Sequence, residues 1–243
     1  MMERTAVVVG VGARSGLGAA LACRFAQEGL RVVVAGRTAE RLEAVVAEIQ
    51  EAGGMAEPVV TDVTREADVA NVFRVATSEE ADLELVVYNV GNNVMVPVLQ
   101  VSPDLFEGIW RQNALGGFLV GREAVRAMLP RRRGTILFTG ATASLRARPP
   151  FTAFASAKAA LRAVAQGLAR EFGPQGLHVA HVVIDGVIGG DYARRTFPDF
   201  VQAKGDDGLL EPDAIADAYW ALHCQRSSAW THELDLRPFK EPF

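Results

Sequence analysis

Short apolar runs alternate with longer amphipathic segments along most of the 243-residue chain. The apolar runs are mostly continuous, which is typical of parallel strands covered on both faces. In the segments between them, apolar residues recur every three or four positions, which indicates helices with one buried face. The pattern predicts strands near residues 5–10, 31–36, 56–61, 83–90, 134–140, 177–184 and 232–237. It predicts helices near residues 16–28, 38–52, 65–77, 102–128, 151–172 and 212–226.

The order of these elements predicts the fold class. Strand, helix and strand repeat six times, which indicates crossover connections and a doubly wound parallel sheet. No linker, repeat or low-complexity segment divides the chain, and 49% of its residues are hydrophobic, which is enough for a large core. We therefore expect one α/β domain of the Rossmann type over residues 1–243, with about seven strands and helices on both faces.

Composition and charge exclude several classes of protein. The formal net charge of -4 provides no basic field for nucleic acid and no polybasic membrane patch. The two cysteines, Cys23 and Cys224, and the four histidines lack the spacing of a disulfide framework or a metal site, so no metal is expected. The chain has no bilayer-spanning apolar stretch and starts with a strand-like run rather than a signal peptide. We expect a cytoplasmic protein with a small-molecule substrate.

A glycine-rich turn follows the first predicted strand. The stretch GVGARSGLG, residues 10–18, has glycines at four positions between a strand and a helix. Glycine permits a tight turn and a close backbone approach, and the helix N-terminus offers free N–H groups to an anion. The spacing from Gly12 to Gly18 is one residue longer than the common dinucleotide fingerprint. The turn predicts a phosphate-binding loop.

The end of the second predicted strand predicts which dinucleotide is bound. A cofactor without a 2′-phosphate is normally held there by a carboxylate that accepts from the ribose hydroxyls. This chain has Gly36 and then Arg37, and the guanidinium of Arg37, helped by Arg14, suits the 2′-phosphate of NADP(H). We expect NADP(H) to be preferred over NAD(H). The alternative is that Arg37 is a surface residue ahead of a helix.

Several motifs, in this order, resemble those of the short-chain dehydrogenases/reductases over nearly the whole chain. Residues 12–18 resemble that family's TGxxxGxG turn, and the stretch YNVG at 88–91 resembles its NNAG motif, with Tyr88 at the first asparagine. The stretch WRQNALGGF resembles the helix that carries the family's active-site asparagine, here Asn113. The resemblance implies that the cofactor is contacted by Gly12, Arg14, Ser15, Leu17, Arg37, Asp62, Val63, Asn89, Val90, Gly91, Lys158 and Ile188.

Two departures fall at the family's catalytic positions. The family has a serine after the strand that corresponds to 134–140, and the tyrosine of its YxxxK motif thirteen residues later. Here these positions are Ala141 and Phe154, whereas Lys158 is retained. A positioned acid contributes roughly 10²–10⁴ in rate, and a hydrogen-bond donor stabilises the same oxyanion. We expect an apolar wall beside intact dinucleotide contacts, with Asn113 and Lys158 as the remaining members of the catalytic set.

Three hypotheses about function remain open. In the first, the protein is an NADP(H)-dependent reductase of a small carbonyl or an activated alkene, with a non-standard proton donor. Tyr192, Asp185 and Tyr88 are candidate donors, although each has a simpler structural role, which is to cover the pocket, cap a turn or fill the core. In the second, the protein binds NADP(H) without turnover, as a sensor or partner subunit. In the third it is only a scaffold, and the retained glycine turn and Lys158 argue against that.

The resemblance also implies how the chain assembles and how it covers a substrate. In the family, a substrate lid corresponds to about residues 187–211 of this chain. Family members often form homodimers or homotetramers through the helices that match 102–128 and 151–172, and we expect the same here.

Overall fold

The structure is a computed structural model that describes residues 3–77, 81–91 and 93–241. It contains a seven-stranded parallel sheet with the strand order β3-β2-β1-β4-β5-β6-β7. The strands are β1 (Glu3–Val9), β2 (Arg31–Gly36), β3 (Met55–Val60), β4 (Ala81–Tyr88), β5 (Gly134–Thr139), β6 (Leu177–Ile184) and β7 (Glu233–Leu236). The helices are α1 (Leu17–Gln27), α2 (Ala39–Glu51), α3 (Glu66–Ala76), α4 (Pro103–Trp110), α5 (Gly116–Met128), α6 (Thr152–Phe172), α7 (Asp191–Thr196), α8 (Pro198–Lys204) and α9 (Pro212–His223). The predicted α/β class, parallel sheet and single domain are confirmed.

Helices cover both faces of the sheet, which explains the continuous apolar runs. Along β1, Ala6 and Val8 belong to the core on one face, together with residues of α1, α2 and α9. Val7 and Val9 belong to the core on the other face, with residues of α3, α5 and α6. Successive side chains of a strand point to opposite faces, so every residue of β1 from Ala6 onward has an apolar environment. Each fully buried aliphatic side chain stabilises the fold by about 1.5–3 kcal/mol.

The predicted helix over 102–128 is interrupted. Ser102 caps α4, and its hydroxyl accepts from the Leu105 amide at 3.1 Å. One π-helical turn, Arg111–Leu115, then joins α4 to α5. A π-helical turn inside a helix often marks a functional position, and this one carries Asn113. Apolar periodicity alone does not distinguish such a turn from a regular helix, so the sequence predicts one continuous helix.

The segment 187–211 is more regular than a loop. It starts with a short parallel bridge between Ile188 and Leu210, and it contains the two short helices α7 and α8. The bridge brings the two ends of the segment together beside the carboxyl end of β6. The segment therefore emerges from the edge of the sheet at which the strand carboxyl ends lie.

Candidate active site

A cleft of about 250 Å³ lies at the carboxyl ends of β1, β2 and β4. The strand order reverses its direction between β1 and β4, and parallel sheets bind ligands at such a switch point. A larger depression of about 620 Å³ lies at the opposite edge, near the amino ends of β2 and β3, away from the glycine-rich turn. The predicted site residues that line the cleft are Gly12, Arg37, Asp62, Val63, Asn89, Val90 and Gly91.

The glycine-rich turn is shaped by contacts that leave no room for side chains. A Cβ on Gly18 would lie 2.6 Å from the carbonyl oxygen of Gly10, whereas a Cβ on Gly12 would meet no atom within 4 Å. Gly12 therefore faces the open cleft. Helix α1 follows with Gly16 at its N-cap and no side-chain cap, which leaves first-turn N–H groups for an anion. The Leu17 side chain packs into the core, so its backbone is the part available to a ligand.

The end of β2 carries cations beside a glycine. A Cβ on Gly36 would lie 2.3 Å from the Val11 carbonyl oxygen, so in this conformation the position excludes a carboxylate side chain. Arg37 and Arg41 both line the cleft. Arg41 was not predicted from the sequence; it lies in the first turn of α2, whereas Arg37 precedes the helix N-cap at Thr38.

Arg14 lies outside this cleft. Its Nε donates to the Glu48 carboxylate on α2 at 2.8 Å, and the side chain is largely exposed. The guanidinium of Arg14 is engaged by a neighbouring helix. It therefore does not point into the cleft where the sequence predicts that it assists Arg37. Arg41, which was not among the predicted site residues, lines the cleft.

The turn after β3 holds a carboxylate on the wall of the cleft. The Thr64 backbone amide and hydroxyl donate to Asp62 Oδ1 at 2.9 and 2.8 Å, and these bonds lower the pKa of the Asp62 carboxyl. The Asp62 amide in turn donates to Asp68 Oδ2 at 3.0 Å. Asp62 is fixed by its own turn. The sequence analysis missed three threonines, all of which line the cleft: Thr38, Thr61 and Thr64.

The end of β4 packs directly against the glycine-rich turn. The Asn89 amide donates to the Val9 carbonyl at 2.7 Å, and Asn89 Nδ2 donates to the Gly10 carbonyl at 3.3 Å. A Cβ on Gly10, whose φ is +100°, would lie 2.7 Å from the Asn89 backbone. This close approach fixes the floor of the cleft between the two strands.

Lys158 on α6 reaches the carboxyl ends of β4 and β5. Its Nζ donates to the carbonyl oxygens of Val90 at 3.1 Å and Thr139 at 2.9 Å. The side chain is only 3% exposed, and burial lowers the pKa of its ammonium group to about 7. No ion pair of Lys158 with a carboxylate occurs within the described residues. Lys158 is thus a buried cation held by backbone dipoles alone.

Asn113 lies on the π-helical turn and faces Lys158 of α6. Its Nδ2 donates to the Ile109 carbonyl at 2.9 Å, which sets the orientation of the amide. Its Oδ1 is buried and has no hydrogen-bond partner in the described part of the chain. A Cβ on Gly91 would lie 2.8 Å from Lys158 Nζ and 3.1 Å from Asn113 Oδ1. The free acceptor and the ammonium therefore face the same small space.

The two positions that correspond to the family's catalytic hydroxyls present apolar side chains. Phe154 on α6 is 7% exposed, with its ring centroid 5.8 Å from Lys158 Nζ. Ala141 is half-buried and follows β5, and its amide donates to the hydroxyl of Ser144 at 3.1 Å. The neighbouring hydroxyl of Thr142 donates to Asp185. The Ser144 hydroxyl is thus engaged within the turn after β5, and the Thr142 hydroxyl is engaged by Asp185, which directly follows β6.

Two of the three candidate proton donors are engaged in hydrogen bonds with other parts of the fold. Tyr88 is buried in the core and donates to the Gln112 carbonyl. Asp185 is 4% exposed and accepts from Thr142, from Arg146 at 3.3 Å and from Arg237 at 2.6 Å. These partners hold Asp185 as an acceptor.

Tyr192 has a different environment from the other two. It is 75% exposed on α7, where its ring packs edge-on against Phe197. The Asp191 amide next to it donates to the hydroxyl of Ser15 at 3.2 Å. Ile188 lies four residues earlier, at the bridge. The segment 187–211 therefore starts beside the glycine-rich turn, and Tyr192 lies on its outer surface.

The site has two halves, a polar cleft lined by Arg37 and Arg41 and a buried lysine beside an apolar ring. The sequence profile of the family described as short chain dehydrogenase matches residues 5–198, which is most of the chain. The chain belongs to the short chain dehydrogenase family. The predicted family resemblance is thereby confirmed, and the protein is an oxidoreductase of that family.

Individual relatives agree with this assignment. A short-chain dehydrogenase from Rhodopseudomonas palustris is 40% identical, with a TM-score of 0.82, and the match covers 97% of this chain and 99% of that one. A metagenomic short-chain oxidoreductase in complex with NADP is 26% identical, with a TM-score of 0.81 and 97% of both chains covered. The glucose 1-dehydrogenase of Gluconobacter oxydans is 28% identical over 183 residues, which is 74% of this chain and 69% of that protein.

Two further features of the described residues bear on function. None of the described helices has both the length and the apolar character that are needed to cross a membrane. In the same part of the chain, histidine, cysteine and acidic side chains form no group of three that could hold a metal ion.

Proposed function

We propose that the protein binds NADP(H) in preference to NAD(H) and reduces a small carbonyl compound or an activated alkene. The observation that carries the cofactor preference is the end of β2, where Arg37 and Arg41 line the cleft and Gly36 leaves no space for a competing carboxylate. Guanidinium groups form strong charge-assisted hydrogen bonds with phosphate. The NADP in the metagenomic relative supports the same preference.

The residues of the cleft fit such a dinucleotide. The uncapped start of α1 and the open face of Gly12 suit the pyrophosphate, and Asp62 and Val63 suit the adenine end. Lys158 and Asn113 would lie at the nicotinamide end, next to Gly91. When bound, the nicotinamide supplies a hydride to the substrate carbon. Ala141 and Phe154 then contribute no hydroxyl to the substrate oxygen, so the proton has another source.

The cofactor preference is tested by titrating the purified protein with NADPH and NADH. We expect micromolar NADPH binding and much weaker NADH binding. The variant Arg37→Ala should lose about 10- to 100-fold in NADPH affinity, because charge-assisted hydrogen bonds contribute roughly 1.5–3 kcal/mol. Its affinity for NADH, which has no 2′-phosphate, should stay within about 2-fold.

The variant Arg14→Ala is the matched control for this titration. In the wild type, the guanidinium of Arg14 is also near the glycine-rich turn, but it is bonded to Glu48 outside the cleft. We expect NADPH affinity to stay within about 3-fold of the wild type, since an exposed ion pair contributes little. Equal losses of NADPH affinity in both variants would mean that Arg14 also binds the 2′-phosphate. No loss of NADPH affinity in either variant would contradict the proposed preference for NADP(H).

A second candidate function is NADP(H) binding without turnover, as a sensor or partner subunit. The apolar side chains at positions 141 and 154 favour it, because both are hydrogen-bonding positions in the family. A panel of ketones, aldehydes and enoyl thioesters separates the two functions. NADPH oxidation with any of them supports the reductase, whereas tight NADPH binding with no oxidation supports the sensor.

We further propose that the chain acts as a homodimer or homotetramer through α4, α5 and α6. Large apolar side chains are exposed along the first two of these helices, including Phe106, Trp110 and Phe118, each about two-fifths exposed. Exposed aromatic side chains grouped on neighbouring helices are typical of subunit contacts. Sedimentation velocity tests the assembly, and Trp110→Asp should shift it toward the monomer.

A further inference from the structure

The two short helices of the segment 187–211 bury few side chains. Of the described residues of α7 and α8, Ala193 is the only one that is buried. Helices of six and seven residues are not stable alone, because forming the first helical turn is costly. The position of α7 and α8 relative to the sheet is therefore set largely by polar contacts at the two ends of the segment.

One end of the segment is attached to the glycine-rich turn. The Asp191 amide donates to the Ser15 hydroxyl at 3.2 Å. A Cβ on Gly190 would lie 2.7 Å from the Ser15 carbonyl oxygen, so the two backbones are in direct contact. This end of the segment therefore rests on the turn at which we expect the pyrophosphate to bind.

The far end of the segment is attached to a strap, residues 237–241, which follows β7. Lys204, in the last turn of α8, donates to the Glu241 carboxylate at 2.6 Å, and the two side chains are 23% and 25% exposed. The Lys240 ammonium donates to the Asp206 carbonyl oxygen just after α8. A partly buried ion pair is screened less by salt and water than an exposed one. The strap thus holds the end of α8 through two cations.

The strap is also bonded to the base of the same segment. The Arg237 guanidinium donates to Asp185 at 2.6 Å, and Asp185 directly follows β6. Pro238 packs against Gly186, where a Cβ would lie 2.8 Å from Pro238 Cδ. The Glu241 amide donates to the Pro238 carbonyl at 2.9 Å, which closes a turn within the strap. One short stretch of chain therefore contacts the segment where it starts and where α8 ends.

Through Asp185, the strap reaches the apolar end of the candidate site. The Thr142 hydroxyl donates to the same carboxylate, and Thr142 follows Ala141, one of the two apolar positions of the site. The strap thus has one end beside the turn after β5 and the other beside α8. The position of α8 is therefore fixed relative to the turn that would border a substrate.

On the basis of the proposed reductase function, we propose that Lys204 and Glu241 are positioning residues that hold the segment 187–211 closed over the substrate. Their ion pair does not touch the reacting atoms. It keeps α7 and α8 against the site, so that a bound carbonyl compound is retained until the hydride has been transferred. Opening of the segment requires the ion pair to break.

The choice of lysine suits a contact that opens and closes. The chain has three lysines among its 25 basic residues, and Lys204 and Lys240 are both in these contacts. Within the described residues, Lys204 is the only lysine that forms an ion pair, whereas pairs between other elements use arginine or histidine. An ammonium is more strongly hydrated than a guanidinium and binds a carboxylate as a point charge. The Lys204–Glu241 pair is therefore easier to open than an arginine pair.

Hydrogen–deuterium exchange tests the first half of the proposal on the protein without nucleotide. Glu241→Lys replaces the ion pair by a repulsion between two lysines, so the amides of α8 should exchange about 10-fold faster. The double variant Lys204→Glu with Glu241→Lys restores opposite charges, and exchange should return to within about 3-fold of the wild type. A general loss of folding in Glu241→Lys would not be repaired by the second substitution.

Asp217→Asn is the matched control for the exchange measurement. Asp217 on α9 pairs with Arg24 on α1 at 2.7 Å, so the variant breaks an ion pair between two other helices. Exchange in α8 should stay within about 2-fold of the wild type. Equal exchange in the wild type and Glu241→Lys would overturn the proposal, whatever the catalytic result.

Turnover tests the second half, with NADPH and 2,3-butanedione as the probe. If the closed state of Glu241→Lys is about 10-fold less populated, the KM for the diketone should rise about 10-fold. The kcat should change less than 3-fold, because the reacting groups are untouched. The charge-reversed double variant should regain the wild-type KM. NADPH affinity should stay within about 3-fold in both variants, since the glycine-rich turn is unaltered.

The two measurements separate this inference from the proposed function. Faster exchange with an unchanged KM, or a raised KM that the reversed pair does not restore, would overturn the positioning role while the reductase function stands. If the wild type oxidises NADPH with neither the diketone nor the carbonyl panel, the proposed function fails, and the role in substrate retention fails with it. The exchange result needs no substrate, so it still decides whether the strap holds the segment.

Discussion

The two halves of the site differ in what surrounds their polar groups. In the polar cleft, Arg37 and Arg41 are exposed, and Asp62 is anchored by hydrogen bonds from its own turn. At the other end, Lys158 and Asn113 are buried, and the apolar ring of Phe154 lies beside them. An exposed charge keeps its ordinary properties, whereas a buried charge changes its acidity. The first half thus presents accessible charges, whereas the second holds a charge whose acidity depends on its burial.

The same difference decides which residues tolerate replacement. Removing one exposed cation weakens the attraction for a phosphate and leaves the fold intact, because water replaces the lost contact. At the buried end, each polar group depends on its neighbour, so a change to one alters the other. Variants in each half should therefore differ in kind, with binding affected in one half and rate or pH dependence affected in the other.

The largest change is expected from returning hydroxyls to the buried half. The double variant Phe154→Tyr with Ala141→Ser places a phenol near Lys158 and a hydroxyl after β5. If proton transfer limits the reaction, the rate of NADPH-dependent carbonyl reduction should rise by roughly 10²–10⁴-fold. The measurement is single-turnover NADPH oxidation under saturating nucleotide, which separates chemistry from binding.

Lys158→Met in the same double-variant background serves as the control. A rate gain that survives it would mean that the new phenol acts alone, and a gain that disappears would mean that the ammonium supports it. If the double variant is no faster than the wild type while NADPH still binds, the sensor function is favoured over the reductase.

A smaller effect is expected in the glycine-rich turn, where Gly12 and Gly18 form a matched pair. A methyl group on Gly12 meets no protein atom, so Gly12→Ala should leave the free energy of unfolding within about 0.5 kcal/mol. The methyl would occupy the space of the pyrophosphate, and NADPH affinity should fall about 100-fold, by the loss of close backbone contacts with phosphate. Fluorescence titration and urea unfolding measure the two quantities.

Gly18→Ala should give the opposite pattern in stability. Its methyl would lie 2.6 Å from the Gly10 carbonyl oxygen, so the turn must move, at a cost of about 1–3 kcal/mol in unfolding free energy. NADPH affinity falls as well, because the turn carries the phosphate site. If Gly12→Ala were the less stable variant, or if it bound NADPH normally, the cleft would not be the phosphate site.

The fold and the exposed half of the site were predictable from the sequence, because both depend on local patterns. Apolar runs identify strands covered on two faces, and glycines after the first strand identify the turn. The apolar stripe predicted for α2 by periodicity is buried, including Leu42 and Ile49. Arg41 was not predicted, because it lies inside α2, beyond the residue that directly follows β2.

The buried half was predictable only in part, because its properties depend on contacts across the sheet. Nothing in the sequence around Tyr88 indicates that its hydroxyl bonds the Gln112 carbonyl inside the core. The ion pairs of Asp185 join residues more than 35 positions apart. The π-helical turn that directs Asn113 has the same apolar periodicity as a regular helix. Positions 141 and 154 were identified by resemblance, and their environment only by the structure.

The smallest expected effect is a difference between the two halves in how the free energy of unfolding depends on pH. The unfolded chain holds the Lys158 proton up to a pKa of about 10.4, whereas the folded protein releases it near 7. Between these values the unfolded state binds more protons, so stability rises with pH. The rise from pH 7 to 9 should be about 2 kcal/mol in the wild type. Lys158→Met has no proton to lose there and should lack this rise.

Urea unfolding of both proteins at pH 7 and pH 9 measures the difference. The histidines with lowered pKa values, including His178 and His223, are present in both proteins, so their contributions cancel. Arg37→Ala, which removes a cation from the exposed half, should follow the wild-type pH dependence. Equal slopes in wild type and Lys158→Met would mean that the folded protein keeps the Lys158 proton to high pH. That result would contradict the lowered pKa of the Lys158 ammonium group.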